Sequence, residues 1–304
     1  MKNKEQNIQK INSVKELHAF MGLPYPSNPL ITVIDHSQIE NNYQLENQKL
    51  SLNCYNISIK RGFKGQLKYG KNNYDFDEGT MSFIAPNQVI AIDNEADRSN
   101  DGWSLLFHPD LIRQYPLAKT IKNYGFFSYE INEALHLSDE EENIIAGIIK
   151  NIKNEIYSRL DNFSQDVIVS SLDLLLCYCN RFYNRQFITR KMAANDLLTK
   201  FENILAEHFA YNATLKLPTV DKLANELNVS AAYLSDMLRS ATGQNTQQHI
   251  HNKLIEKAKE ILTTTQLSIS EIAYQLGFEY SQSFSKLFKA KTNVTPLAFR
   301  ASFN

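Results

Sequence analysis

The sequence predicts an α+β chain in two parts: a β-rich sandwich or barrel followed by two helices, then an all-helical domain built on an internal repeat. Three observations carry this. Short alternating runs separated by polar turns fill residues 30–120, helical spacing takes over at Ser138, and the stretch EIAYQLGFEYSQSFSKLFKAKTN (271–293) has a near copy upstream, KLANELNVSAAYLSDMLRSATG (222–243). Alternation puts successive side chains on opposite faces of a strand, whereas recurrence every third or fourth residue makes one face of a helix.

The 304 residues suffice for two domains of ordinary size, and 43% hydrophobic with 21% charged residues is an ordinary globular composition. No apolar run approaches the roughly 18 residues needed to span a bilayer. The polar start MKNKEQNIQKINSVKEL lacks the apolar core of a secretory signal, so the cytoplasm is the expected location and no membrane partner is expected. Cys54, Cys177 and Cys179 are odd in number and without framework spacing, as reduced and mostly buried thiols are. A net charge of −1, with 11 basic and 10 acidic residues from Asp196 onward, gives no bulk sign of nucleic-acid binding. Any such function must rest on where the charges sit.

Along the first part, LSLNCY alternates Leu50, Leu52 and Cys54, and NISIKRG resumes out of phase with Ile57 and Ile59, as a bulge or bend produces. QLKYGKNNYDF reads as a hairpin, with Leu67 and Tyr69 before a Gly-Lys-Asn-Asn turn and Tyr74 and Phe76 after it. DEGTMSFIAPNQVIAI adds a turn and more short strands. Tyr69, Tyr74 and Phe76 line a pocket, fill the core or face outward. Trp103, the sole tryptophan, reads as core filler before ligand platform.

SDEE then makes a capping box, Ser138 at the N-cap and Glu141 three residues on. Ile144, Ile145, Ile148, Ile149, Ile152 and Ile156 follow at helical spacing. A second helix, from about Ser164 to Tyr183, carries Ile168, Leu172, Leu175, Leu176 and Cys179 on one face. The helices of 138–184 either cover the β-layer or form a dimer seam. The mixed, partly basic stretch at 186–197 reads as a linker between a first domain, 1–185, and a second, 198–304.

Within the repeat each unit, 219–243 and 268–293, reads as helix, turn, helix. Leu223 and Ala224 match Ile272 and Ala273 at an offset of 49, which becomes 50 from Leu234 and Phe284 onward, so the second unit has one extra residue, at a place that falls between Val229 and Leu234 in the first. Thr219 and Ser268 (with Glu271) start the first helices, and Asn228 and Gly277 suit the left-handed position that ends them. Ser230 caps the helix that follows. Leu234, Met237, Leu238 and Ala241 are expected to point inward, as are Phe284, Leu287 and Phe288. Ala224 and Ala273 are small where the two helices of each unit must cross. A joining helix, 247–263, buries Ile250, Leu254, Ala258, Ile261 and Leu262 and spans about 25 Å, short of the roughly 34 Å between successive major-groove faces. Some DNA bending, at a cost on the order of 1–6 kcal/mol, would close the difference.

These residues carry a resemblance. From about Leu198 to Asn304 the chain resembles the AraC/XylS family of bacterial transcription regulators, with Gly277, Phe278, Phe284, Phe288, Pro296 and Arg300 at the positions of that family's signature. Three positions depart from it: Asn293 for glycine, Leu254 for arginine, and Ser283 for an aromatic. The upstream half, including DGWSLLFHPDLI (101–112), resembles the family's sensor domain, which implies a cupin-like barrel followed by dimerising helices. The resemblance implies a regulator of transcription, a homodimer that binds double-stranded DNA, with RNA polymerase and a small-molecule effector as further partners.

The outward faces of the second helices name the candidate DNA-binding residues. Gln282 can bond adenine through N6 and N7. Lys286 suits guanine or phosphate, Lys289 and Arg239 suit phosphates, and Ser281 and Ser285 suit either. In the first unit Ala232 can touch a thymine methyl and Ser235 a base edge. Asp236 repels phosphate but can accept from cytosine N4, so the first unit is expected to supply less affinity. His249 and His251, two apart on a helix, are poorly placed to share a metal. No cofactor is expected.

Two other readings remain. The first part can be a dimerisation scaffold with no effector. It can also be a metal-dependent cupin enzyme fused to a DNA-binding tail, but such a site needs about three clustered ligands. His18, His36, His108 and His136 are the only histidines before the helices, with no H-x-H pair among the strands. No catalytic constellation stands out, and no enzyme activity is expected.

Overall fold

The computed structural model describes residues 8–39, 49–61, 79–91, 101–129, 133–158, 161–189, 191–210 and 217–303. The hairpin expected around Leu67–Phe76, with its three aromatic residues, lies outside them. The chain divides into two compact units, Met1–Gln186 and Phe187–Asn304.

In the first unit the order is β1 (Ile8–Ile11), α1 (Val14–Phe20), β2 (Ile31–Asp35), β3 (Lys49–Leu52), β4 (Tyr55–Lys60), β5 (Thr80–Ile84), β6 (Val89–Ala91), β7 (Gly102–Phe107), α2 (Leu117–Thr120), β8 (Leu135–His136), α3 (Asp139–Tyr157) and α4 (Ser164–Thr189), whose last residues pass into the second unit. The strands form two sheets, one of order β1-β3-β6 and one of order β2-β7-β4-β5-β8. The out-of-phase step between Cys54 and Ile57 is therefore a change of sheet, since β3 and β4 pair in different ones. The strand pattern allows a sandwich or a barrel, and the family resemblance implies a cupin-like barrel. Among the described residues neither sheet closes on itself. Strand β2 lies at one edge of the larger sheet with α3 packed beside it, and the two-residue β8 ends the other edge. A covering helix and a very short strand are two ways to blunt an open edge.

The larger sheet has two unlike faces. Ile57 pairs with Phe83 and Leu105, and Ile59 with Met81. These buried side chains continue into an aromatic cluster in which Phe83, Phe126 and Tyr183 pack with centroids 4.5–5.9 Å apart. The other face carries Ser58, whose Oγ lies 2.9 Å from that of Ser82, and Ser104, whose Oγ lies 2.7 Å from His36 Nε2. Asn56 Oδ1 shares this face, buried and without a hydrogen-bond partner among the described residues.

The expected capping box at Ser138 and Glu141 is present. Ile145, Ile148, Ile149, Ile152 and Ile156 are buried, but Ile144 is exposed, because six isoleucines make a stripe wider than one packed helix face can cover. In α4, Ile168, Leu172, Leu175, Leu176 and Cys179 are buried and Cys177 is exposed. Trp103 is half-buried on β7.

The second unit contains α5 (Lys191–Ala210), α6 (Val220–Glu226), α7 (Ala231–Thr242), α8 (Thr246–Thr264), α9 (Ile269–Gln275), α10 (Ser281–Thr292) and α11 (Pro296–Ala301). Of the stretch read as a linker, residues 186–189 end α4 and residues 191–197 begin α5. Helix α8 is the spine, packing against α5, α7, α9, α10 and α11. Its 19 residues measure about 28 Å at the usual rise. Ile250, Leu254, Ile255, Ala258, Ile261 and Leu262 form its buried stripe.

Candidate nucleic-acid interface

The helix pairs α6–α7 and α9–α10 are built on the same local rules. Thr219 Oγ1 accepts from Lys222 N, and Ser268 makes a reciprocal capping box with Glu271. Both first helices end in a left-handed residue, Asn228 at φ 56° and Gly277 at φ 85°. The next amide then reaches back across the turn, Val229 N to Ala224 O at 3.1 Å and Phe278 N to Ala273 O at 3.0 Å. Ala224 and Ala273 are fully buried. Four residues separate α6 from α7 and five separate α9 from α10, so the change of offset lies in the turn.

The second helix of each pair packs inward through Leu234, Met237 and Leu238, or through Phe284 and Phe288. Phe278 packs back on Phe284 with centroids 5.6 Å apart. Two inward assignments change. Leu287 is only half-buried, and Ala241 is exposed, because it stands in the last turn of α7, beyond the core that Leu238 reaches.

The nine candidate residues fall on two helix faces. On α10, Gln282, Lys286 and Lys289 are exposed, with Ser281 and Ser285 half-buried. No carboxylate stands among these five. On α7, Arg239 is exposed while Ala232, Ser235 and Asp236 are half-buried. There Arg239 Nη1 donates to Asp236 Oδ1 at 2.6 Å, so the cation and anion offset each other. Ser235 Oγ lies 3.0 Å from Oγ1 of the buried Thr246, at the start of α8. The two faces thus differ: α10 presents a net positive surface, α7 a nearly neutral one.

Residues 223–302 match the protein-family model described as a helix-turn-helix domain. An uncharacterised HTH-type transcriptional regulator, YfiF of Bacillus subtilis strain 168, is 31% identical over 144 residues, 47% of this chain and 43% of that protein. The xylose operon regulatory protein of Escherichia coli K12 is 30% identical over 113 residues, 37% of this chain and 29% of that protein. Residues 223–302 thus form an AraC-type helix-turn-helix domain. Among solved structures, the C-terminal domain of the two-component response regulator yesN from Fusobacterium nucleatum is 35% identical, covering 33% of this chain and 93% of that one with a TM-score of 0.30. This chain spans less than half the length of YfiF and of the xylose regulator.

Within the AraC-type domain, the contact made by Arg300 was not apparent from the sequence, whereas the burial of Leu254 was expected. Arg300 Nε donates to Leu262 O at 3.1 Å, placing a cation on a carbonyl in the last turn of α8, where the helix dipole favours positive charge. Leu254 is fully buried in the apolar stripe, so its departure from the family pattern is made up by packing. Asn293 takes φ 63° at the C-cap of α10, the left-handed geometry that Gly243 takes at φ 76° after α7. His249 lies 2.8 Å from Thr242 Oγ1 with its ring edge-on to Phe201, and His251 lies 2.8 Å from Gln247 Nε2. Burial lowers the pKa of both imidazoles.

The histidines that an enzyme reading would require are dispersed. His18 Nε2 lies 2.9 Å from Thr32 Oγ1, His36 bonds Ser104, and His108 Nε2 lies 3.0 Å from Asn53 Nδ2. Among the described residues no three His, Cys, Asp or Glu side chains gather to hold a metal ion.

Proposed function

We propose that the chain is a sequence-specific transcription regulator that grips double-stranded DNA with α7 and α10, each entering a major-groove segment. The observation that carries this is the duplicated frame: two pairs of the same geometry, joined by one helix, each presenting a polar face. Gln282 is the direct base reader, bonding adenine. Lys286 takes guanine or phosphate, Lys289 and Arg239 take phosphates, and Ser281 and Ser285 orient the helix. On α7, Ala232 and Ser235 meet base edges and Asp236 accepts from cytosine. The pairing of Arg239 with Asp236 supports a smaller affinity for the first unit.

The first unit, a cupin-like sensor in this reading, binds a small-molecule effector. The neutral polar row of Ser58, Ser82, Ser104 and His36, with Asn56 Oδ1 unpaired among the described residues, supports a ligand recognised by hydrogen bonds. The protein acts as a homodimer. Phe163, Val167 and Leu174 are 70%, 48% and 50% exposed along α4 and its start, with Ser170 and Ser171 between them. An antiparallel pair centred on those serines would set Val167 against Leu174 and Phe163 against Tyr178, a self-complementary pattern. Effector binding shifts which arrangement of the two DNA-binding domains is populated, and RNA polymerase responds to the bound arrangement. No described helix is long and apolar enough to cross a membrane, and the cytoplasm is the proposed location.

Selection of bound DNA from a random pool tests the reading. It should return one motif with two contacted segments per polypeptide. Recovery of unenriched DNA would refute sequence-specific binding.

A further inference from the structure

Helix α8 is held to both reading pairs largely by apolar packing, which is non-directional, and its first turns are also bonded to α7 through Ser235–Thr246 and Thr242–His249. One further polar chain crosses it from the end of α7 to α10. Asn252 Nδ2 donates to Gln244 Oε1 at 2.7 Å, just past the end of α7, and Asn252 Oδ1 accepts from Lys291 Nζ at 3.0 Å, in the last turn of α10. The amide of Asn252 is used at both ends, so its orientation is set by donor and acceptor together. Lys291 approaches close enough that its charge also acts on the neighbouring His251. Lys291 is therefore held on α8 and is separate from the outward row of Gln282, Lys286 and Lys289.

Resting on the two-headed reading proposed above, we propose that Asn252 is a positioning residue for DNA specificity: by tying Gln244 to Lys291 it fixes the separation and roll of the two reading helices, and so the spacing between the two groove contacts. A half-buried amide at the middle of the bridge is the only one of the three residues on the spine itself, so its loss severs both links at once.

The test uses the intact protein and the selected site, together with sites in which the two contacted segments are moved one base pair closer or farther apart. Wild type is expected to lose about tenfold or more in affinity on the shifted sites, within the usual range of a coupling between two contacts. Asn252→Leu should keep near wild-type affinity on the original site and reduce that penalty to about threefold, a fraction of the same coupling. Lys291→Met, at an exposed position where folding is not at stake, removes the donor and should relax the penalty in the same direction. Combining the two should add little, because they cut one chain. If both variants retain the full wild-type penalty, the bridge does not set the spacing, while the DNA-reading assignment stands. If wild type itself shows no spacing penalty, the two-headed reading fails and this proposal with it.

Discussion

Thr242 and Thr292, fifty positions apart, make the same hydrogen bonds to the backbone. Each hydroxyl donates between the carbonyl four residues back and the carbonyl two residues on: Leu238 O at 2.8 Å and Gln244 O at 3.3 Å, against Phe288 O at 2.8 Å and Val294 O at 3.0 Å. Each also accepts from the amide two residues on, at 3.2 and 3.4 Å. A shared helix end at the single-bond level ties the repeat in the sequence to a repeat in geometry. It satisfies carbonyls that the end of a helix leaves unpaired.

Those helix ends also need left-handed backbone, which costs a side chain with a Cβ on the order of 1–2 kcal/mol and glycine almost nothing. Asn293→Gly should raise or preserve stability, and Asn293→Ala should lower it by about 1 kcal/mol. Urea unfolding of the intact protein followed by a probe in the C-terminal unit measures both. An alanine variant as stable as wild type would contradict the strain assigned there.

Gln282→Ala should cost about 1–3 kcal/mol on the selected site and relax preference at a single base pair. Competition binding with every substitution at each position of the site reads out both effects. Unchanged affinity and unchanged preference would remove α10 as the base-reading helix.

Lys289→Ala should weaken binding to all sequences alike and lower the slope of log K against log salt by about one. Asp236→Asn should act in the opposite direction, because it frees Arg239 from its 2.6 Å pair and removes an anion from the reading face. Titrations at several salt concentrations separate these from any loss of base preference.

Stability should fall in mild acid. The pKa values of His249 and His251 are lowered from 6.5, chiefly by burial, so the folded state favours neutral rings. Below about pH 6.5 the unfolded chain binds more protons than the folded one. The contribution is therefore complete above that pH and lost as the pH falls toward the folded values. His249→Gln, neutral throughout, should lose less Tm than wild type between pH 7.5 and 5.5. An equal or larger loss would show that His249 is not the responsible group.

Much of the C-terminal domain was legible in the sequence because its signals are local. Caps at Ser230 and Ser268, left-handed residues at Asn228 and Gly277, and the inward rows of α7 and α10 each depend on neighbours within a few positions. Ala241 was misplaced because periodicity does not say where a helix outruns the core beneath it. The link from Gln244 through Asn252 to Lys291 joins polar residues 8 and 39 positions apart, which no local pattern connects. The β-rich half was less legible for the same reason. That Cys54 and Ile57 lie on either side of a change of sheet is decided by strand pairing at long range.

Hydroxyl-radical footprinting of the intact protein on its selected site tests the doubled reading head most directly. Two protected backbone segments per polypeptide, about one helical turn apart, are predicted. Protection of a single segment per polypeptide would contradict it.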